Sequence, residues 1–127
     1  MELKELRLKN IIKYKKGHIV TVESIDKCVG VKGIGGNYID GFYDLCHFDP
    51  IKLDEEWLSK FGFAESKVKN AFELQVLDDL AKMFFNNDNG YFELIVGKCI
   101  CVCPAKIKYV HQLQNLYFAL TGEDLVW

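Results

Sequence analysis

The run YVHQLQNLYFALTG, residues 109–122, decides how the rest of the chain must pack. At about 100° per residue, a helix over this run carries an arc of apolar side chains: Val110, Leu113, Leu116, Tyr117 and Leu120. Gly122 follows the last periodic position and suits the left-handed residue at which helices end. The run therefore predicts one amphipathic helix that lies on a core and stops at Gly122.

The opposite arc of this helix is mixed in character, with His111, Gln114, Asn115 and Phe118 close together. A phenylalanine among polar groups either packs under a second element or is left exposed for a partner. The first alternative makes the arc a second buried contact of a small domain. The second makes these four residues a partner-binding face.

Length and composition predict a single domain, residues 1–127. Half of the 127 residues are apolar and 13% are aromatic, which is enough for one sizeable core. The first residues are charged and lack the apolar segment of a signal peptide, and no run of 18 uncharged apolar residues occurs. Five cysteines, an odd number, fit reduced thiols. We therefore expect a soluble, cytoplasmic protein with no membrane partner.

Residues 1–48 read as a β-rich unit. Residues 11–14 and 18–25 are rich in β-branched side chains and flank a turn at Lys15, Lys16 and Gly17, which predicts a β-hairpin. Short strands over 28–32 and 38–43 follow. Four short strands joined by tight turns predict a small curled antiparallel sheet or an SH3-like barrel.

Residues 49–127 read as a helix–helix–hairpin–helix unit. Asp54 is placed as an N-cap for a short helix that ends near Gly62, and the spacing of Leu77, Leu80, Ala81 and Phe84 predicts a second helix within 66–85. A hairpin over 91–103 and the helix at 109–122 complete the unit. The predicted fold class is α+β, with the last helix covering a sheet.

Few residues indicate chemistry. Cys99, Cys101 and Cys103 alternate, so a strand would place all three on one face, but this spacing lacks the turn that lets two sulfurs converge on zinc. Small buried hydrophobic side chains are the better interpretation, and no metal, cofactor or catalytic residue is predicted. Asp54, Glu55 and Glu56 have the positions of a cap and first helical turn rather than of catalytic acids.

Charge is unevenly distributed along the chain. Residues 1–32 hold eight lysines or arginines and four acids, whereas residues 40–93 hold twelve acids and five lysines. The first hairpin is therefore the candidate surface for nucleic acid or an acidic partner, through Arg7, Lys13, Tyr14, Lys15, Lys16 and His18. Lysines also protect exposed edge strands from aggregation, which is the structural alternative.

Four blocks carry a family resemblance: residues 6–10, 18–22, 53–63 and 108–125, the last reading KYVHQLQNLYFALTGEDL. Together they resemble a group of small uncharacterised proteins from phages and mobile elements of Bacteroidetes-type bacteria. The blocks cover less than half of the chain, and the predicted helix over 68–86 looks like an addition to the pattern. The resemblance transfers no catalytic residue.

The resemblance implies a setting for function. Small accessory proteins of mobile elements include inhibitors of host immunity, among them anti-CRISPR proteins that bind an RNA-guided nuclease. We therefore expect a non-enzymatic binding protein of this kind, whose partner is a CRISPR effector nuclease, such as an RNA-targeting type VI effector, or its guide-RNA complex. The alternative hypothesis is a small nucleic-acid-binding module that uses the basic hairpin.

Overall fold

A computed structural model describes residues 1–15, 17–25, 29–34, 41–68, 70–78, 80–97, 99–102 and 106–125. Within these ranges the chain is α+β, with two antiparallel five-stranded sheets and one long helix. The strands are β1 (Ile11–Tyr14), β2 (Ile19–Ile25), β3 (Val29–Gly33), β4 (Gly41–Tyr43), β5 (Phe48–Asp49), β6 (Ala64–Glu65), β7 (Ala71–Val76), β8 (Ala81–Asn86), β9 (Tyr91–Val96) and β10 (Cys99–Val102). The α-helices are α1 (Glu55–Lys60) and α2 (Val110–Thr121).

The first sheet has the order β4-β3-β2-β1-β5 and confirms the predicted curled sheet. The register between β2 and β3 shifts between Val22 and Ser24, and such an irregularity increases the local twist of a sheet. Ile12, Val20, Val22 and Val29 are fully buried and form the first core, which Phe48 of β5 also joins. Strand β5 had no signal in the sequence beyond this single phenylalanine.

The second sheet has the order β10-β9-β8-β7-β6 and corrects the prediction of a helix within 66–85. That region contains β7 and β8, which pair from Ala71 with Asn86 to Val76 with Ala81. Phe72, Phe85 and Phe92 lie opposite one another on neighbouring strands, and the rings of Phe85 and Phe92 stack at 4.5 Å. This phenylalanine row joins the second core, so burial of alternate side chains overrides the helical spacing.

The predicted helices at 54–62 and 109–122 are confirmed. Asp54 caps α1, because its Oδ1 accepts the Trp57 N–H at 3.0 Å. Gly122 ends α2 with φ 75°, the left-handed conformation expected of that position. The apolar arc of α2 packs on the second core, with Val110 and Leu113 fully buried.

Strand β1 belongs to both cores. Ile12 is fully buried in the first core, whereas its neighbour Ile11 is 3% exposed and belongs to the second. Successive side chains of a strand point to opposite faces, so one short strand connects the curled sheet to the core beneath α2. The N-terminal strap, defined here as residues 1–10, crosses beside this strand and buries Leu6 in the first core.

Candidate binding surfaces

The polar arc of α2 holds the strap and the start of β1. The side-chain oxygen of Gln114 accepts the Ile11 N–H at 2.8 Å, and its amide nitrogen donates to the carbonyls of Lys9 at 3.2 Å and Leu125 at 3.4 Å. Gln114 is only 4% exposed, so these bonds satisfy a polar group that would otherwise be costly to bury. This glutamine is a structural connector between the helix and the N-terminal half of the chain.

Asn115 extends the same contact by one residue. Its side-chain nitrogen donates to the Glu5 carbonyl at 2.7 Å, and its side-chain oxygen accepts from Asn10 Nδ2 at 3.0 Å. Asn10 is buried, and its own oxygen accepts the Arg7 N–H at 2.7 Å. The strap is therefore fixed to α2 by amide side chains from both partners.

Phe118 is the outermost member of the arc and is 37% exposed. The Arg7 guanidinium carbon lies 3.6 Å from the centre of its ring, a cation–π contact. Arg7 also approaches Asp124, with Nη2 3.7 Å from Oδ1. Arginine from the strap thus covers part of the phenylalanine that the sequence offered as a partner contact.

His111 lies at the start of α2 and is 1% exposed. Neither ring nitrogen has a hydrogen-bond partner among the described residues. The Tyr109 ring lies parallel to the imidazole at 6.0 Å between centres. Burial lowers the pKa of His111 below its ordinary value; the Glu5 carboxylate opposes this decrease, and the amino group of Met1 adds to it.

These positions leave little of the predicted partner-binding face open to a partner. His111 and Gln114 are buried, Asn115 is half-buried and bonded to the strap, and only Phe118 is exposed. The alternative of a second buried contact describes the arc, because the strap and β1 occupy it. A partner could reach Phe118 and the exposed part of Asn115, but not the buried side chains of His111 and Gln114.

The predicted basic surface is also divided. Arg7 lies on the strap, at the opposite end of β1 from the turn that Lys15 begins. Lys13 is exposed, but it alternates with Tyr14 and so lies on the other face of the strand. His18 is half-buried opposite Tyr14, and Lys16 lies outside the described residues. The backbone therefore brings Tyr14, Lys15 and His18 to one end of β1 and separates them from Arg7, which lies at the other end.

An aromatic cluster lies beside that turn. Tyr14 contacts Tyr43 at 5.3 Å and stacks with His47 at 6.1 Å between ring centres, and Phe48 packs against both tyrosines. His47 is exposed, while Tyr14 and Tyr43 are half-buried at the margin of the first core. Sequence reasoning missed Tyr43 and His47, because His47 reaches Tyr14 through the pairing of β5 with β1, and Tyr43 lies on β4 at the other edge of the sheet.

One end of the second sheet carries an apolar tip, defined here as Leu77, Leu80 and Val96. Their side chains are 41%, 73% and 46% exposed. The turn that joins β7 to β8 brings Leu77 and Leu80 together, since the Leu80 N–H donates to the Leu77 carbonyl at 3.0 Å. Val96 pairs with Ala81, the residue after Leu80. The predicted helix had placed Leu77 and Leu80 in the core, so this surface was not foreseen.

The cysteines form no metal centre in the part of the chain that the structure describes, where no three His, Cys, Asp or Glu side chains lie close enough to hold an ion. The backbone of β10 pairs Cys99 with Val96 and Cys101 with Leu94, and Cys99 is exposed. Cys103 lies outside the described residues. Cys46 is exposed on the short turn before β5.

Comparisons with known protein families, with curated proteins and with solved structures find no match for this chain. Within the described ranges, neither helix has the length and apolar character needed to cross a bilayer. The functional interpretation of the candidate surfaces therefore depends on their geometry.

Proposed function

We propose that this protein acts by binding a partner protein through the apolar tip, without catalysis of its own. The supporting observation is the exposure of Leu77, Leu80 and Val96 at one end of the second sheet. Exposed apolar side chains that cluster, unlike single ones, are typical of interaction sites. Leu80 in particular leaves 73% of its side chain in solvent, where it contributes little to folding.

The opposite end of the same sheet provides an internal comparison. There β8 and β9 are joined by Asn87, Asp88, Asn89 and Gly90, which are typical turn residues. Asn70 donates to Asp88 at 3.1 Å, and Asn89 accepts the Tyr91 N–H at 2.9 Å. A turn at this sheet can thus be built from polar residues that bond locally. Leucine side chains cannot form hydrogen bonds, so those of Leu77 and Leu80 do not stabilise the turn at the other end in this way.

Backbone conformation strengthens the same point. Leu77 and Asp78 both have φ 54°, in the left-handed region that glycine and asparagine normally occupy. A leucine in that region costs roughly 1–2 kcal/mol relative to an ordinary conformation. Strained residues of this kind cluster at functional sites, and selection for contact with a partner would explain the leucine here.

The family resemblance supplies the class of partner. Small accessory proteins of mobile elements include inhibitors of host immunity, so we propose an anti-CRISPR-type inhibitor that binds an RNA-guided nuclease in the bacterial cytoplasm. An RNA-targeting type VI effector, alone or with its guide RNA, is the specific partner proposed. This step rests on the resemblance in residues 108–125 above all, and the apolar tip supports only the protein–protein mode.

The experiment compares two leucines that are both more than half exposed. Leu80→Ser alters the tip, and Leu8→Ser alters a leucine that is 52% exposed on the strap. Tagged wild type and both variants capture partners from host lysate, in halves treated or not treated with nuclease, and purified effector is then titrated directly. We expect one host nuclease with wild type and Leu8→Ser in both halves, and at least about tenfold weaker effector binding by Leu80→Ser. Equal binding by the two variants would remove the tip from the proposal.

A nucleic-acid-binding module is the second candidate, and the stack of half-buried Tyr14 with exposed His47 beside Lys15 favours it. Aromatic side chains next to a cation can stack bases and follow a phosphate backbone. Binding of a fluorescent single-stranded RNA should then weaken steeply with added salt and should fall in His47→Ala. Capture that disappears in the nuclease-treated half would favour this function over direct protein binding.

A further inference from the structure

We propose that the contact between the N-terminal strap and α2 is an acid-sensitive latch controlled by His111. The latch consists of the strap residues that bind α2, namely Glu5, Arg7, Lys9 and Asn10, and the polar arc from His111 to Phe118. This inference does not depend on the proposed function. It concerns how the fold holds the strap and when it would release it.

The first argument is the unusual state of the His111 side chain. Buried polar groups are nearly always hydrogen-bonded, yet both nitrogens of this imidazole lack a partner among the described residues. Gln114 and Asn115, on the same arc, are fully engaged with the strap and β1. A neutral imidazole can be tolerated in such a site, whereas a buried charge without a partner is far more costly.

The second argument is the set of charges around the ring. His111 lies in the first turn of α2, where the positive end of the helix dipole disfavours a cation. On the strap, the amino group of Met1 also opposes protonation, and the Glu5 carboxylate favours it. The neighbouring Tyr109 contributes a stacked ring from the start of the helix. Burial outweighs the attraction of Glu5, so the pKa of His111 is lowered.

The consequence for stability follows from proton linkage. Glu5 and the amino group of Met1, which act on the charge of His111, both lie on the strap, so we expect opening of the latch to expose His111 to water and to return its pKa to about 6.5. At any pH between the lowered pKa of His111 in the closed state and its ordinary pKa in the open state, the open state binds more protons than the closed state. The closed latch is therefore fully favoured above about pH 6.5 and loses stability as pH falls through that window.

What opening would release is set by the contacts of the strap. Met1, Leu3 and Leu6 pack on the first core, while Asn10 and the Lys9 carbonyl bind α2. Protonation of one buried ring would thus loosen the strap from α2 and weaken the cover of the first core. The part of the Phe118 ring that Arg7 covers would become accessible.

The test measures opening against pH in three proteins. Wild type and His111→Phe, which fills a similar volume without a titrating group, are compared with His47→Gln, which removes an exposed histidine as the matched control. The Ile11 N–H donates a hydrogen bond to the Gln114 side chain, so its hydrogen exchange reports opening of the latch. Hydrogen exchange of the β8 amides reports opening of the second core. Rates are divided by the intrinsic exchange rate at each pH.

We expect the opening equilibrium at Ile11 to rise by up to about tenfold per pH unit below pH 6.5 in wild type and His47→Gln. The same amide in His111→Phe should show no such rise. An equal acid response in His111→Phe would overturn the proposal.

A second measurement needs no substitution. The imidazole resonances of wild-type His111, followed by NMR from pH 8 to 4, should titrate below pH 6.5 and together with the Ile11 amide. Titration of His111 at or above about 6.5 would also overturn the proposal, even if the variant did not fold.

Discussion

Gln114→Ala should be the most destabilising single substitution on the polar arc of α2. The glutamine oxygen is the acceptor for the Ile11 N–H, at 2.8 Å, and Ile11 is a buried strand residue. Alanine has the higher helix propensity, so α2 itself should not suffer. The loss would come from the strap and β1, which would no longer be bonded to the helix.

The magnitude can be worked from the three hydrogen bonds. An unsatisfied buried N–H costs about 1–3 kcal/mol, and the Lys9 and Leu125 carbonyls, bonded at 3.2 and 3.4 Å, add less because those bonds are longer. A total of about 3 kcal/mol is expected, which is a large share of the roughly 5–15 kcal/mol that stabilises a domain. For a chain of this size the melting temperature should fall by about 10 °C.

Urea unfolding followed by circular dichroism measures this change, with Gln112→Ala as the matched control. Gln112 lies on the same helix, and its oxygen accepts the N–H groups of Lys108 and Tyr109 at 2.9 and 3.1 Å, where the helix start is partly open to water. Its loss should cost about 1 kcal/mol or less. If both variants lost the same free energy of unfolding, the buried contact to Ile11 would not carry the stability assigned to it.

Two further pairs of substitutions test the second core and the backbone. Phe85→Ala removes a ring that stacks with Phe92 and should lower the free energy of unfolding by about 3–5 kcal/mol. The control Phe42→Ala, at a side chain that is 76% exposed, should change it by less than about 1 kcal/mol. Similar losses in urea unfolding would contradict the assignment of the second core. Lys9 has φ 71°, so Lys9→Gly should raise the melting temperature by relieving about 1 kcal/mol of left-handed strain. The control Lys13→Gly, in β1, should lower it. A lower melting temperature for Lys9→Gly would show that the exposed ion pair of Lys9 with Glu23 contributes more stability than the strain removes.

Local sequence patterns were sufficient to predict the elements whose ends are fixed by residues close in the chain. The cap at Asp54 and the glycine at 122 fix the ends of α1 and α2, and both sets of bonds close within four residues. The first hairpin likewise follows from β-branched residues around a turn. Each of these predictions depends on neighbours in the chain and could be made without knowing the fold.

The helix predicted within 66–85 failed for a reason that is visible in the same residues. Leu77, Leu80, Ala81 and Phe84 have helical spacing, but Phe72, Leu74 and Val76 alternate with polar residues in β7. In β8 the alternate residues Ala81, Met83 and Phe85 are the buried ones. The turn between the strands contains no glycine or asparagine, because Leu77 and Asp78 take the left-handed conformation instead. An unrecognised turn let two short alternating patterns read as one long helix.

The candidate sites were harder to predict, because their outcome depends on partners far away in the chain. Gln114 bonds to a residue 103 positions earlier, and Asn115 to one 110 positions earlier. A polar side chain on a helix face gives no sign of whether water or a distant backbone group will satisfy it. The arc that resembled a binding face is therefore mostly occupied within the chain itself.

That occupation also narrows where a partner can bind. The strap is hydrogen-bonded to the polar arc of α2. Tyr14 and Phe48, on the paired strands β1 and β5, pack with the first core. In contrast, the side chain of Leu80 projects into solvent from a turn whose backbone bonds already close without it. Leu80, which the fold does not require and which lies next to a strained leucine and an exposed valine, is therefore the residue on which the proposal of a partner protein rests. A protein surface with an apolar pocket is the partner that this proposal predicts.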